Sequence, residues 1–425
     1  MKKELIEKIK SSNNQFLKKD LLSLYLKKQI FFKNILSNIN FLGVKNEDES
    51  NLSKIIDSLK GRKDIFIDEN SKDIYYKTRS VGCTYCTLGQ GCTVVLSYKC
   101  HRDCFFCYEE TPLTPKVIID PYDKKDMDNI YKIIDDSFSN PANKTLAVTG
   151  GEPLLFIDKI YEIFEYINEK YPGKHKRIYT TGEFLNDEKL QKLKDLGLDE
   201  LRFSIKPGEE PNIALYKMAK KYVKHVLIEM PIMPYTKDYM IDILTKIDNE
   251  KCIDGINLNE LTFNNLNKEK YKQNNLFLDL PSDEKEIYHR YYDISKIEIG
   301  VYGSKLLALE LIDYFSNKNA SFFMHYCDLD TVSNHHFLYK KANAKNKKIN
   351  FSQITKYGLH KILRVYGNIA ELEKILKENN IFSYYKTNSY IDLEPNMHNL
   401  FKNNDRAIIY KNYDYSYDVD FELLY

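Results

Sequence analysis

Between residues 93 and 258, short β-rich runs alternate strictly with amphipathic helical runs, and no other feature restricts the fold as tightly. Strands are predicted at Thr93–Ser97, Leu146–Thr149, Arg177–Thr180, Glu200–Ile205, Val226–Pro231 and Gly255–Leu258. Helices are predicted near 122–138, 158–170, 187–196, 212–223 and 236–249. Strands separated each time by a helix must run parallel, because the helix carries the chain back to the starting edge. Six such units fall short of the eight that close a barrel. The expected fold is therefore α/β, a partial (β/α)6 TIM-like barrel with its chemistry at the C-terminal ends of the strands.

The flanks read differently. Residues 1–75 read as helices, with Leu21, Leu22, Leu24, Tyr25, Leu26, Ile30, Phe31, Phe32, Ile35 and Leu36 at helical spacing. The first 42 residues carry nine Lys against three acids, a solvated face or a docking surface for an acidic partner. Past the barrel, a helix is predicted at Lys305–Phe315 and a strand over Phe322–Cys327. Residues 359–425 read as a small α+β unit, with a strand Lys361–Val365, a helix Ile369–Glu378 and strands near 382–393 and 407–410. The expected divisions are a helical N-terminal extension at 1–78, the partial barrel at 79–262, a post-barrel segment at 263–350 and the small C-terminal unit at 351–425.

Charge and hydropathy exclude several classes. A net charge of +2 argues against a dedicated nucleic-acid binder, which carries a strongly basic face. No run of ~18 apolar residues exists to span a bilayer. Met1–Lys10 is charged throughout and lacks the apolar core of a signal peptide. The expected location is the cytoplasm. Six of the eight cysteines lie between Cys83 and Cys107, and in a reducing compartment such crowding favours metal ligation over disulfides.

Two motifs stand on successive βα units. The first is Cys100-His-Arg-Asp-Cys104-Phe-Phe-Cys107, on the loop after the first predicted strand. Three thiolates on one loop can cap three corners of a cubane cluster and leave the fourth iron open to a substrate. The second is Val148-Thr149-Gly150-Gly151-Glu152-Pro153-Leu154, after the second predicted strand. Its glycines permit close backbone approach to a ligand.

On these motifs, with Phe106 just before the last cysteine, the chain resembles the radical S-adenosylmethionine (SAM) superfamily. The resemblance implies a [4Fe–4S] cluster on Cys100, Cys104 and Cys107, with SAM chelated to the open iron through its methionine amino and carboxylate groups. It implies one-electron cleavage of SAM to a 5′-deoxyadenosyl radical, an oxidoreductase chemistry fed by a donor such as flavodoxin or ferredoxin. It also implies that Gly150, Gly151, Glu152 and Pro153 contact SAM. Weaker expectations fall on later strand ends. Thr181 stands where the family often has the Asn of Thr-Asn-Gly, Ser204 and Lys206 lie toward the ribose or the methionine carboxylate, and Asn259 follows the sixth strand.

Within the superfamily, residues 80–345 are similar to a branch of uncharacterised proteins related to pyruvate formate-lyase activating enzymes. That branch is marked here by Cys83-Thr-Tyr-Cys86, Asn259-Glu260-Leu261, His325-Tyr326-Cys327 and the basic Lys340-Lys341. The chain departs from it at Tyr108, where relatives often have Pro. Cys83, Cys86 and Cys327 are expected to share a second metal, zinc or an auxiliary iron–sulfur cluster, with Cys92, His325 or His101 as fourth ligand. Cys252 and the pair His335-His336 read as core or surface residues. The expected activity is hydrogen-atom abstraction from a protein or peptide, as by an activase or maturase. RNA modification is the alternative within the enzyme class. A zinc-binding interaction module is the alternative outside it, since 17 residues separate Cys83-x2-Cys86 from Cys104-x2-Cys107.

Overall fold

A computed structural model of the chain describes residue 7 and residues 15–46, 49–68, 73–107, 119–263, 268–291, 299–343, 350–355, 358–401, 408–413 and 418–423. Tyr108 lies outside the described residues. In chain order the elements begin with helices α1 (Gln15–Leu42) and α2 (Glu49–Leu59), strands β1 (Ile65–Asp68) and β2 (Asp73–Tyr76), and helix α3 (Val81–Thr87). There follow β3 (Gly91–Val95), α4 (Lys124–Phe138), β4 (Thr145–Thr149), α5 (Ile157–Lys170), β5 (His175–Thr180), α6 (Asp187–Asp195) and β6 (Glu200–Ser204). Next come α7 (Ile213–Ala219), β7 (His225–Ile232), α8 (Lys237–Glu250), β8 (Gly255–Glu260), β9 (Thr262–Phe263), α9 (Lys268–Gln273), α10 (Glu284–Tyr291), β10 (Ile299–Gly300), α11 (Ser304–Asn317), β11 (Phe323–Cys327) and α12 (Leu329–Asn343). The chain closes with β12 (Gln353–Ile354), β13 (His360–Tyr366), α13 (Ile369–Glu378), β14 (Tyr385–Lys386), β15 (Tyr390–Leu393), β16 (Ile408–Tyr413) and β17 (Asp418–Leu423).

Two compact units result, each discontinuous in sequence. One comprises residues 42–280 and 298–335, the other residues 1–41, 281–297 and 336–425. The divisions drawn from the sequence were contiguous. No described helix is long and apolar enough to cross a membrane.

The larger unit is built on a nine-stranded sheet of order β1-β2-β11-β8-β7-β6-β5-β4-β3. β3 to β8 are parallel neighbours, which matches all six predicted strands. The structure adds a seventh: β11 pairs parallel with β8, and α11 supplies the crossover. β2 then pairs antiparallel with β11. Residues 65–68 and 73–76, in a stretch expected to be helical, thus extend the sheet instead. Ile65, Ile67, Ile74 and Tyr76 are β-branched or aromatic at alternate positions, a strand pattern at its shortest.

Alternation along each strand sorts the side chains. Ile178, Leu201, Phe203, Ile228, Met230, Ile256, Leu258, Met324 and Tyr326 pack outward against Ile130, Ile134, Ile160, Phe164, Ile243 and Leu244 of the helices, all buried in one core. Burying each such side chain contributes about 1.5–3 kcal/mol. The inner face is left to Arg177, Tyr179, Arg202, Glu229, Asn257, Asn259, His325 and Cys327.

The smaller unit holds an antiparallel sheet of order β14-β15-β13-β16-β17, with β12 on β13. Leu372 and Leu376 of α13 pack on Leu363, Val365, Ile391 and Leu393. Asn368 caps α13 by accepting from Ala370 N at 3.0 Å. The predicted helix and strands of this region are all present.

Candidate active site at the strand ends

The cluster loop follows β3 and is anchored by the residues between its cysteines. Arg102 pairs with Glu183 and, at 2.9 Å, with Glu209, so the loop is tied to the loops after β5 and β6. His101 also meets Glu183. Asp103 accepts from Lys270 of α9 at 2.7 Å. Phe105 packs edge-on against Tyr271 at 5.8 Å, and Phe106 lies beside Phe105. Cys100, Cys104 and Cys107 are half-buried. Burial raises the Cys104 thiol above its ordinary value, and the nearby Lys206 charge opposes that. Burial raises Cys100 as well, countered by the Arg102 N–H, which donates to its sulfur at 3.4 Å.

The glycine turn is zipped to the root of this loop. Gly151 N donates to Ser97 O at 2.8 Å, and Glu152 N donates to Lys99 O at 2.9 Å. A Cβ on Gly151 would meet Tyr98 O at 2.7 Å and the Lys99 carbonyl carbon at 2.6 Å. Gly150, at φ +133°, faces the Ser97 carbonyl in the same way. The close approach expected of these glycines is thus made first to the cluster loop itself. Glu152 is buried, and its carboxylate accepts from Thr180 Oγ1 (2.5 Å), Thr181 N (2.8 Å), Thr181 Oγ1 (2.9 Å) and Leu154 N (3.1 Å). These four donors fix Glu152 and Thr181 against each other and leave Glu152 a positioning group. Pro153, the next residue, is buried. Ser204 is exposed at the rim, and Lys206 and Asn259 are partly buried.

Beneath the rim lies a charged interior that the strand patterns hid. Arg202 Nη2 donates to Glu200 Oε2 (2.7 Å), Ser80 Oγ (2.7 Å) and Cys83 Sγ (3.3 Å). Its Nη1 donates to Glu229 (2.9 Å) and Tyr179 (3.1 Å). Asn257 and Asn259 donate to the other Glu229 oxygen at 2.7 and 2.9 Å. Burial alone would raise the Glu200 carboxyl, but Arg202, His175 and Arg177 outweigh it and hold the group well below the carboxylate range. A parallel strand covered on both faces normally reads as continuously apolar. Glu200-Leu-Arg202 and Ile228-Glu229-Met230 break that rule, which was the available signal.

Glu260 ends β8 and accepts the Leu329 N–H at 3.0 Å, tying the strand to the start of α12. Burial pushes its carboxyl up to about 7, with Asp328 and Asp330 adding to the rise and Lys305 opposing it. A carboxyl raised in the folded state stabilises fully below its unfolded value near ~4.3 and loses that contribution as pH climbs through the folded value. The denaturant midpoint is therefore expected to fall between about pH 4.5 and pH 7, by an amount corresponding to about 3 kcal/mol. Glu260→Gln, which keeps an acceptor for Leu329, should flatten the profile; a flat wild-type profile would contradict the burial.

Residues 94–247 match the Radical SAM superfamily. The chain contains a radical SAM domain. It is 26% identical over 313 residues to a Methanocaldococcus jannaschii protein named "Putative glycyl-radical enzyme activating enzyme", covering 66% of this chain and 73% of that one. A second M. jannaschii protein, uncharacterised, is 27% identical over 178 residues, 42% of this chain and 52% of that one. Among solved structures, SAM-bound SuiB of Streptococcus suis aligns over 57% of this chain and 52% of its own at 14% identity and TM-score 0.38. Escherichia coli coproporphyrinogen III oxidase, a radical SAM enzyme, aligns over 56% of each chain at 12% identity and TM-score 0.36. The chain spans about half the length of the second relative and of these two structures. The matched residues 94–247 are the βα units from β3 to α8, which carry both motifs.

The superfamily implies a [4Fe–4S] cluster and SAM, and the residues present fit them. Three thiols stand on one loop between a lysine and an arginine, at the C-terminal ends of a parallel sheet. Among the described residues no three His, Cys, Asp or Glu side chains are gathered at the spacing of a single metal ion. Thiolates that cap different irons of a cubane stand farther apart than the ligands of one ion, so the donor set is the relevant test.

Proposed function

We propose that this radical SAM enzyme holds its cluster on Cys100, Cys104 and Cys107 and takes a hydrogen atom from a protein or peptide substrate, as an activating enzyme does. The observation that carries the reading is the backbone pairing of the cluster loop with the Gly150-Gly151-Glu152 turn. It makes two motifs that are 43–52 residues apart in sequence into one rigid rim. When bound, the cluster supplies the electron that cleaves SAM and leaves a 5′-deoxyadenosyl radical to abstract hydrogen.

The chain's own residues bind, orient and exclude water. Lys206 and Arg102 oppose the rise that burial imposes on the loop thiols, which must give up their protons on iron ligation. Thr181, locked by Glu152, and Phe106, held edge-on against Phe105, are the contacts proposed for SAM on the two sides of the rim. Ser204 and Asn259 offer polar contacts to ribose or carboxylate oxygens. Arg202, Glu229 and Asn257 satisfy one another, which pre-organises a polar face inside the sheet. The resemblance to an activating enzyme supports a macromolecular substrate, and a flavodoxin- or ferredoxin-like donor supplies the electron.

Anaerobically reconstituted protein with dithionite and SAM should release 5′-deoxyadenosine. Cell extract split by ultrafiltration tests the substrate class. The nuclease-treated retentate should accelerate that release. Acceleration by the filtrate alone, or its loss on nuclease treatment, would reject a protein substrate, and no 5′-deoxyadenosine from iron-loaded protein would reject the chemistry.

A further inference from the structure

We propose that Cys83, Cys86, Cys327 and His335 close on one zinc ion, a centre separate from the three-cysteine loop. Helix α3 carries Cys83 and Cys86 three residues apart, on neighbouring positions of one face. Gly82, one turn before Cys86, packs so closely on Arg177 that a Cβ there would lie 2.5 Å from Nη1. That face of α3 therefore points into the sheet's interior. Cys327 points to the same interior from β11, two residues after His325. His325 Nδ1 meets Asn257 Oδ1 at 2.5 Å, and that oxygen stands 3.8 Å from Cys83 Sγ. The Cys327 sulfur lies within electrostatic reach of both Cys86 and Cys83.

The fourth ligand follows from distance. Cys86 Sγ stands 3.6 Å from His335 Nδ1 on α12. Two ligands on a tetrahedral zinc, one sulfur at ~2.3 Å and one nitrogen at ~2.0–2.1 Å, stand ~3.6 Å apart. The three fourth ligands expected from the sequence are elsewhere. Cys92 lies on the outer face of β3 in the apolar core, His101 pairs with Glu183, and both nitrogens of His325 are taken, by Asn257 and at 2.5 Å by Asp73. His335, read as core or surface, replaces them.

A second observation points to a negative group at this place. Arg177 is buried, and its Nε and Nη1 have no hydrogen-bond partner among the described residues. A buried guanidinium with idle donors is costly. Three thiolates and a neutral imidazole around a divalent zinc carry a net charge of −1. Arg177, within electrostatic reach of Cys86, and Arg202, at 3.3 Å from Cys83, would neutralise it. Only Cys86 and His335 stand at ligand spacing without the ion, and among the described residues no three of the four are gathered around one point. The ion would draw the other two in, Cys83 exchanging Arg202 and Asn257 for the metal, with binding coupled to local order.

The test is metal analysis of the full chain, purified anaerobically without chelator or added metal. About one zinc per chain is expected beside the cluster iron. Cys86→Ser and His335→Ala should each lower zinc roughly tenfold or more and leave the iron and 5′-deoxyadenosine release in place, while Cys92→Ser should keep the zinc. Should the variants misfold, cobalt(II) titration of chelator-stripped wild type replaces them; the expected result is a thiolate-to-cobalt band that zinc abolishes. Zinc absent from wild type, zinc retained in both variants, no thiolate band with cobalt, a disulfide linking Cys327 to Cys83 or Cys86, or excess iron lost with Cys86 would each overturn the proposal. The last outcome would mark an auxiliary iron–sulfur cluster.

Discussion

Replacing Cys100, Cys104 and Cys107 together by alanine is expected to leave a folded protein that binds no cluster iron and releases no 5′-deoxyadenosine. The fold should survive because the loop's anchors do not use the thiols. Arg102 holds Glu183 and Glu209, Asp103 holds Lys270, and Ser97 and Lys99 accept from the glycine turn. Activity should not survive, because no other described residue on the loop offers a soft ligand to iron. Iron should drop from about four per chain to none at these positions, and product by about a thousandfold or more, to the uncatalysed background. Iron quantitation, circular dichroism and chromatographic assay of 5′-deoxyadenosine measure the three quantities. A triple variant that keeps the reduced-cluster electron paramagnetic resonance signal would remove these cysteines from the site. Zinc at the Cys83–His335 set is expected to be unchanged in it, which separates the two centres.

The second large effect concerns Gly151. A valine there would place carbon against the carbonyls of Tyr98 and Lys99, and neither is the yielding end of a side chain. The backbone of residues 97–99 must move, and with it the root of the cluster loop. A cost of about 3 kcal/mol or more is expected, the upper end of overpacking penalties, because backbone rather than a rotamer must give way. Cluster occupancy should fall with it. Gly91→Ala is the control: its Cβ would meet only Thr145 Cγ2, at 3.6 Å, an ordinary contact. Denaturant midpoints and iron content of the two variants should differ in the same order. Equal values would show that the turn and the loop are not coupled.

The parts of the fold that were legible in the sequence are those set by local periodicity. Each parallel strand from β3 to β8 pairs an outward apolar stripe with a helix of 3.6-residue period, and both patterns survive in a single sequence. What stayed hidden depends on distant pairing. β2 is four residues long and has meaning only beside β11. Arg202 looks like a solvent-facing residue in a short strand until Glu200, Glu229 and Ser80 are placed around it. The cysteine spacing and the Gly-Gly-Glu-Pro turn marked the rim; that the glycines also admit the backbone of the cluster loop needed the distant pairing to be seen. His335 carried no local signal beyond its neighbour His336; its partner Cys86 lies 249 residues away.

The pairing of β2 with β11 has a consequence for biogenesis. Tyr75 lies opposite His325, so a strand made early must wait for 250 further residues before its partner exists. At ~5–20 residues per second the delay on the ribosome is roughly 12–50 seconds. The smaller unit imposes a longer wait, since it unites residues 1–41 with residues 336–425. Vectorial, domain-by-domain acquisition of structure is closed to this chain. Its nascent form must carry an unpaired β1–β2 ribbon and the amphipathic α1 through most of synthesis, an exposed state of the sort holdase chaperones shield. Rapid translation or chaperone depletion should therefore cut its yield more than that of a protein whose strands pair in the order they emerge.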